Sequence, residues 1–362
     1  MPDQPNSTPP QVATRDLDDL QPRLQAWLAT KVASPTITSL TRPESTGMSS
    51  ETVLFDAHWD GAAHALVARL SPDPENLPVF PTYDLDRQFQ AMRVVGELDA
   101  APVPPVLWCE PDPSPIGTPF IVMGQVDGVV PPDVLPYDFG DSWVFDATAE
   151  QQQQLEDTSV AVLASLHGID ARAHFGFMPW PSGSALRAHV DATWDYYQWV
   201  AEGTPSPLIE RCFEWMEKHW PSDEGPTVLS WGDARIGNML YRDFAPVAVL
   251  DWEMVGFGPP EIDLAWFIFL HRFFEDLAAN YGFPGMPQFL QRDHVCATYE
   301  RLSGYAPRNM DFFEMYAALR HGIVMSRVQR RAIHFGEAEQ PADIDDLIMH
   351  RSTLEELCDR SA

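Results

Sequence analysis

The chain has 362 residues, of which 45% are hydrophobic and 11% aromatic, enough apolar surface for large buried cores. This length exceeds the usual size of one domain and predicts two. The formal net charge of −30 argues against a nucleic-acid-binding protein, because nucleic-acid phosphates would be repelled. The same charge favours a cationic small molecule if acidic side chains line a pocket, although most of the acidity is expected to aid solubility.

Targeting signals and membrane segments are not predicted. The first residues, MPDQPNSTPPQ, lack a basic start followed by an apolar stretch, so we expect no signal peptide and interpret residues 1–15 as a disordered tail. No run approaches the ~18 apolar residues that a bilayer-spanning helix needs. The four cysteines are scattered without metal-site spacing, and no disulfide framework is expected. A cytoplasmic protein is the simplest interpretation.

The first third of the chain predicts a small antiparallel sheet with helices. Residues 16–33 have apolar residues at helical spacing and an acidic first turn. Residues 35–72 alternate apolar and polar positions, with a turn signal at Asp60–Gly61, which indicates successive antiparallel strands. A helix is predicted over 84–99, and two further strands follow around a proline-rich turn. We therefore assign residues 16–125 to an N-terminal lobe.

The character of the sequence changes near Met123–Gly128, which we interpret as a hinge. From residue 126 to 362 helical patterns dominate, and strand-like pieces are short. The predicted helices cover residues 148–168, 184–202, 207–220, 261–280, 287–303, 309–334 and 343–359. The predicted strands cover residues 227–230, 239–241 and 246–251. The fold class is therefore α+β, with a β-rich lobe and a larger helical lobe.

Two polar stretches flank these strands. The first, LSWGDARIGNML (residues 229–240), places Asp233 and Asn238 five positions apart, and the second, VAVLDWEMVGFGPPEIDLAW (residues 247–266), adds Asp251 at a strand end. Taken singly, such residues are usually turn formers. Taken together, they match the needs of phosphoryl transfer. One carboxylate takes the proton of an acceptor hydroxyl, and an amide oxygen and a second carboxylate hold Mg²⁺. Arg235 could offset charge on the transferring group.

Lysine usage restricts the type of nucleotide site. Only Lys31 and Lys218 are lysines, and the chain has no Gly-Lys pair, so a P-loop is excluded.

These stretches, together with STGMSSETVLFDA (residues 45–57) and IGTPFIVMGQVDG (residues 116–128), resemble the aminoglycoside phosphotransferase and choline kinase-like family. The resemblance covers roughly residues 35–335. It implies a bilobal protein-kinase-like fold, ATP and Mg²⁺ as cofactors, and a small-molecule acceptor that carries a hydroxyl. In family terms Asp233 would be the catalytic base, Asn238 and Asp251 metal ligands with Glu253 assisting, and Asp263 a brace for the loop.

The resemblance also implies a nucleotide site in the N-terminal lobe. Backbone and hydroxyl groups of the STGMSS turn would cover the ATP phosphates, and the segment from Met123 to Val126 would contact adenine. The residues expected to bind nucleotide are Gly47, Ser49, Ser50, Arg69, Met123, Gln125 and Val126.

Three positions depart from the family pattern. Trp231 replaces the usual histidine before Gly-Asp. Arg69 takes the place of the phosphate-binding lysine, and arginine is chemically able to do this because its guanidinium binds phosphate bidentately. Gln88 stands where an acid normally pairs with that cation.

The acceptor is less determined by the sequence. Helix 184–202 mixes acids with four aromatic residues, which suits either an amino sugar or quaternary amine through cation–π contacts, or ordinary core packing with a solvated face. His167 is expected to support structure. An aminoglycoside-like acceptor is the leading hypothesis. Choline-like, sugar and macrolide kinases remain open, as does a pseudokinase that has lost turnover. The oligomeric state cannot be predicted from the sequence.

Overall fold

A computed structural model describes residues 15–43, 50–133 and 135–360, which form two compact units. The first, here called the sheet unit, comprises residues up to Leu98 together with Val103–Asp127. The second, the helical unit, comprises Asp99–Pro102 and the chain from Gly128 onward.

The sheet unit is built on five antiparallel strands in the order β1-β2-β3-β5-β4. The strands are β1 Thr36–Thr41, β2 Glu51–Trp59, β3 Ala62–Leu70, β4 Val106–Glu110 and β5 Phe120–Gly124. Asp60 and Gly61 both have positive φ, so a tight two-residue turn joins β2 to β3 as the sequence predicts. Helix α1 (Leu17–Leu28) packs its apolar face, including Leu24 and Trp27, against this sheet. A 3₁₀ turn (Pro74–Asn76) and helix α2 (Leu85–Glu97) complete the unit.

The helical unit contains eight α-helices among its described residues. They are α3 Ala149–His167, α4 Ala171–His174, α5 Ala185–Ala201, α6 Pro207–Lys218, α7 Glu261–Tyr281, α8 Arg292–Ser303, α9 Met310–His334 and α10 Arg351–Asp359. Short 3₁₀ segments occur at Ile236–Asn238 and Ile344–Leu347. The helices α7 and α9 are buried along most of their lengths and form the centre of the unit.

Four short strands organise the polar stretches. They are β6 Val228–Ser230, β7 Met239–Arg242, β8 Ala245–Val249 and β9 Gly256–Gly258. Strand β6 pairs with β9 so that Ser230 faces Gly256, and β7 pairs with β8 so that Met239 faces Val249. The loop 231–238, which we call the Gly-Asp loop, and the segment 250–255 therefore leave the same ends of the two strand pairs. This topology brings the two sequence motifs together.

Several boundaries differ from the sequence prediction. The single helix expected over 343–359 is wrong. A 3₁₀ turn and α10 are separated at Ile348–His350, where both side chains turn into the core and the His350 ring hydrogen-bonds the Ala318 carbonyl (2.9 Å). Helix α8 begins at Arg292 rather than at 287, and β9 and α4 were not predicted.

Two further features concern the surface and the thiols. No helix among the described residues is long and apolar enough to cross a membrane. The four cysteines are free thiols. Two of them, Cys212 on α6 and Cys358 on α10, lie with their sulfur atoms 3.2 Å apart, although they are 146 positions apart in the chain.

Candidate active site

The Asp233 carboxylate is held on both oxygens. Its Oδ1 accepts a hydrogen bond from the Trp266 indole N–H (2.7 Å), and its Oδ2 accepts one from the Asn238 amide (2.6 Å). The side chain is half-buried at the tip of the Gly-Asp loop. A carboxylate bound in this way keeps further lone pairs for an incoming hydroxyl proton, and its orientation is fixed before any ligand arrives.

Asp263, near the start of α7, braces the Gly-Asp loop, as the sequence suggested. Its fully buried carboxylate accepts hydrogen bonds from the backbone N–H groups of Trp231 (2.7 Å) and Gly232 (3.0 Å). The Ser230 hydroxyl (2.7 Å) and the His167 ring (3.0 Å) add two more. Burial opposes ionisation of this carboxyl, but the His167, Ser230 and Gly232 hydrogen bonds lower its pKa below the ordinary value. The carboxylate therefore stays charged and fixes the loop backbone.

Gly232 is required by the geometry of the same loop. Its φ of +93° lies in the left-handed region, and a Cβ atom there would overlap the Met254 carbonyl. The close approach packs the Gly-Asp loop against the segment that follows Asp251.

Asn238 and Asp251 are brought side by side by a backbone link. The Leu250 N–H donates to the Asn238 carbonyl (2.8 Å), and Asp251 follows with a φ of +57°, a strained value for a residue with a side chain. Because the Asn238 amide nitrogen donates to Asp233, its oxygen remains as a ligand atom. An amide oxygen and a carboxylate suit Mg²⁺, which usually keeps several waters and takes substrate phosphates as its other ligands. Glu253 is half-buried two residues further on.

The described part of the chain holds no group of three or more His, Cys, Asp or Glu side chains that could bind a metal ion.

Arg235 lies among carboxylates. It forms an ion pair with Asp133, and its Nε is 3.4 Å from the Asp233 Oδ2. Burial disfavours its charge, but Asp133, Asp233 and Asp251 together raise its pKa. The sequence prediction gave Arg235 a role at the transferring phosphoryl group. That role stays a prediction, and no local sequence pattern had indicated the ion pair with Asp133.

In the sheet unit, Arg69 and Ser50 lie together. The Arg69 Nε, on β3, donates a hydrogen bond to the Ser50 hydroxyl (2.9 Å). Ser50 is the residue immediately before β2. Gly47 and Ser49 lie outside the described residues. Gln88 is buried on α2, and its expected role in orienting Arg69 stays a prediction.

The segment expected to contact adenine begins at the end of β5. Met123 lies in the strand itself and is flanked by Val67 on β3 and Val106 on β4. The Gln125 N–H already donates to the Ala65 carbonyl (3.0 Å), so an adenine contact from that group would have to compete with the sheet. Val126 follows the last of these sheet contacts.

The aromatic residues of α5 are used internally. The Arg327 guanidinium lies 4.2 Å from the centre of the Trp199 ring, so a cation of the chain itself occupies that face. Trp194 and Tyr197 pack near Phe213 of α6. Packing within the chain accounts for these ring contacts, and the expectation that the helix contacts the acceptor stays a prediction.

Sequence reasoning missed two residues at the centre of the site. Trp266 and Arg320 fell within the predicted helices 261–280 and 309–334, and neither was given a role in the site. A usable signal existed for Trp266, because it lies three positions after Asp263 and therefore on the same face of α7.

Solved structures share this architecture, and the class that they define is the kinase-like aminoglycoside phosphotransferase fold. A Ralstonia eutropha JMP134 protein named as a candidate aminoglycoside phosphotransferase superposes with a TM-score of 0.66 at 19% identity, over 93% of this chain and 96% of its own. A thermostable mutant of aminoglycoside phosphotransferase APH(4)-Ia, in a ternary complex with ADP and hygromycin B, superposes with a TM-score of 0.57 at 15% identity, over 92% of this chain and 97% of its own. Macrolide 2'-phosphotransferase MphH from Brachybacterium faecium superposes with a TM-score of 0.53 at 20% identity, over 92% of this chain and 97% of its own.

The family follows from the sequence match. The model of the phosphotransferase enzyme family (APH) matches residues 45–305, more than two thirds of the chain. The protein belongs to this family.

Curated relatives carry a different name. Acyl-CoA dehydrogenase family member 11 from Homo sapiens is 28% identical over 204 residues, which are 56% of this chain and 24% of the human protein. Acyl-CoA dehydrogenase family member 10 from Mus musculus is 26% identical over 289 residues, 75% of this chain and 25% of the mouse protein. The chain thus spans about a quarter of the length of these relatives.

Proposed function

We propose that the protein transfers the γ-phosphoryl group of ATP to a hydroxyl of a small molecule, with Mg²⁺ as cofactor and Asp233 as the base. The observation that carries this proposal is the Asp233 carboxylate, which is oriented by Trp266 and Asn238 on a loop that Asp263 braces. Phosphoryl transfer depends mostly on such positioning, because the protein has little covalent work to do.

The candidate site residues of the helical unit have separate roles in this mechanism. Asp233 accepts a hydrogen bond from the acceptor hydroxyl, aligns its oxygen with the phosphoryl group and takes its proton as the new bond forms. Asn238 and Asp251, assisted by Glu253, would hold Mg²⁺. A bound Mg²⁺ supplies neutralisation of charge on the nucleotide phosphates. The positive charge of Arg235 offsets the negative charges of Asp133, Asp233 and Asp251, which would otherwise repel an anionic nucleotide.

The nucleotide is assigned to the sheet unit. Arg69 offers a guanidinium for the phosphates, and Ser50 holds it at the start of β2. Backbone groups from Met123 to Val126, Val126 above all, would contact adenine. Support for ATP comes from relatives of the same fold that were solved with ADP or AMP-PNP.

For the acceptor we propose a hydroxyl on an amino sugar or a related aminoglycoside-like compound. Structures of this fold bind hygromycin B and gentamicin, and one is a macrolide phosphotransferase. The net charge of −30 supports a cationic acceptor over an anionic one.

A second acceptor class is favoured by one observation. The curated relatives are named acyl-CoA dehydrogenases, and this chain matches only a quarter of each. A domain that shares a chain with an acyl-CoA enzyme can act on the same kind of molecule, so a hydroxylated acyl-CoA is the alternative acceptor.

The test measures ADP formation by the purified full chain against hydroxylated amines, aminoglycosides, macrolides, sugars and hydroxyacyl-CoA thioesters, with and without Mg²⁺. The Asp233→Asn variant should lose about 10²–10⁴-fold in kcat, the usual contribution of general base catalysis, and should keep its affinity for ATP by calorimetry. Asp293→Asn makes the same chemical change on the exposed surface of α8 and should behave like wild type.

Two results would contradict the proposal. Turnover of Asp233→Asn at the wild-type rate would remove the base assignment. Metal-independent ATP binding without turnover on any acceptor would favour a pseudokinase.

A further inference from the structure

Trp266 is the group through which α7 contacts the proposed base. Its indole N–H donates to Asp233 Oδ1 at 2.7 Å, and Trp266 itself is only 3% exposed, so the donor side of this bond is shielded from water. Asn238 holds the opposite oxygen. With a donor on each oxygen, rotation of the carboxylate is restricted, and its remaining lone pairs point in fixed directions.

Arg320 lies against the other side of this indole. Its guanidinium carbon is 4.6 Å from the centre of the Trp266 ring, and its Nη2 donates to the Gly232 carbonyl (3.3 Å). Burial lowers its pKa, but arginine stays charged at neutral pH, here near the Asp233 and Asp263 carboxylates. A cation over the face of an indole withdraws electron density from the ring and makes its N–H a better donor. One residue of α9 therefore contacts both the ring that orients the base and the backbone of the base's loop.

This arrangement is not explained by packing alone. The Arg320 side chain is 4% exposed, and its Nη1 has no hydrogen-bond partner among the residues that the structure describes. Burying a guanidinium with an unpaired N–H group is costly, and a hydrophobic residue would fill the same space without that cost. The effect of the Arg320 charge on Trp266 and Asp233 explains why a charged residue is buried at this position.

We propose that Trp266 is a positioning residue that sets the orientation of Asp233 for proton abstraction, and that Arg320 supports it through the face of the indole. The proposal rests on the proposed function, because it assumes that Asp233 is the base. It adds α7 and α9 to the elements that determine the rate of the transfer step, without contact to nucleotide or metal.

The first test is Trp266→Phe, which keeps an aromatic ring and removes the N–H. A hydrogen bond to a charged group is worth about 1.5–3 kcal/mol, so kcat should fall about 10–100-fold. The KM for ATP should stay within about twofold, because Asp233 does not bind nucleotide. In an Asp233→Asn background, assayed with γ-³²P-labelled ATP to quantify residual turnover, Trp266→Phe should cause no further loss.

The sheet unit offers a matched control. Trp27 is also buried, and its indole N–H also donates to a carboxylate, that of Glu110, at 2.9 Å. Trp27→Phe makes the identical chemical change at a carboxylate of the sheet unit and should leave kcat at the wild-type value.

A second variant separates the hydrogen bond from folding. Benzothienylalanine at position 266 keeps the shape of the indole and replaces its N–H by sulfur. It should reproduce the kcat loss of Trp266→Phe with a smaller decrease in Tm, because the packing of the larger ring is kept. Arg320→Lys, which keeps a cation, should retain more kcat than Arg320→Met.

The outcomes distinguish this inference from the proposed function. If Asp233→Asn keeps full turnover, the base assignment fails. If Asp233→Asn loses turnover while the benzothienylalanine protein has wild-type kcat, only the role of Trp266 is overturned. An equal loss from Trp266→Phe in both backgrounds would also overturn it, because it would show a merely structural effect.

Discussion

Asp263 and Asp138 are both fully buried in the helical unit, yet their surroundings differ. Asp263, beside the Gly-Asp loop, accepts four hydrogen bonds, and these lower its pKa below the ordinary value despite burial. Within the described part of the chain, neither Asp138 oxygen has a hydrogen bond of standard geometry, and its polar neighbours include its own backbone N–H and the Glu275 carboxyl. Burial, with a smaller contribution from Glu275, raises its pKa to about 7.

The difference shows that burial alone does not decide the charge of an acid; the donors around it do. At neutral pH Asp263 is an anion that fixes the backbone of the Gly-Asp loop. Burial raises the pKa of Asp138, near the far end of α7, so this carboxyl resists ionisation. One end of α7 therefore serves the proposed catalytic loop, and the other carries a pH-dependent cost to stability.

The largest expected effect comes from Asp263→Asn, which replaces one acceptor oxygen by a donor facing N–H and O–H groups. We expect a loss of about 3–5 kcal/mol in the free energy of unfolding, as for the breaking of a buried charged pair, and at least a 100-fold loss of kcat. Urea unfolding and the ADP-formation assay measure the two effects. The exposed substitution Asp293→Asn serves as control, and a stability within about 0.5 kcal/mol of wild type for Asp263→Asn would contradict the bracing role.

A smaller effect of opposite sign is expected for Asp138→Asn. Because the pKa of Asp138 is about 7 in the fold and near 3.8 when unfolded, the native state binds more protons between these values. Its stability therefore falls as pH rises from about 4 to 7. The asparagine variant should reduce that fall by about 1–3 kcal/mol, seen as a flatter dependence of Tm on pH. An unchanged slope between pH 5 and 8 would mean that Asp138 is charged at neutral pH.

The smallest effect is expected for Glu275→Gln. Its charge contributes to the raised pKa of Asp138 after burial, and its own carboxylate also accepts from the Met286 N–H. Glutamine keeps an acceptor oxygen and removes the charge, so only part of the pH slope should disappear, about 1 kcal/mol or less. Thermal unfolding at pH 5 and pH 8 measures it. A larger change than that of Asp138→Asn would reverse the assignment of causes.

Of the two buried acids in this comparison, only Asp263 could be given a role from the sequence. The spacing of Asp233 and Asn238, the strand that ends before Asp251 and the acid Asp263 at the start of a helix are local signals, and the structure brings these residues to one place. The helical periodicity also predicted α3, α5, α6, α7 and α9 closely, because their apolar faces repeat over several turns.

The remainder depends on contacts between distant positions. Trp266 meets Asp233 across 33 residues, and Arg235 meets Asp133 across 102, so no window of sequence contains both partners. Asp138 looks like an ordinary loop acid, and its burial beside Glu275 exists only once α7 packs against it. The interruption at Ile348–His350 is likewise set by tertiary packing of His350, which overrides a helical pattern.

The contact between Cys212 and Cys358 provides a reporter within the native protein. Cys212 is fully buried under α10, so alkylation of its thiol requires that this last helix lift away from α6. Labelling kinetics at Cys212 therefore measure the free energy of detaching a single terminal segment, separately from that of melting the whole unit.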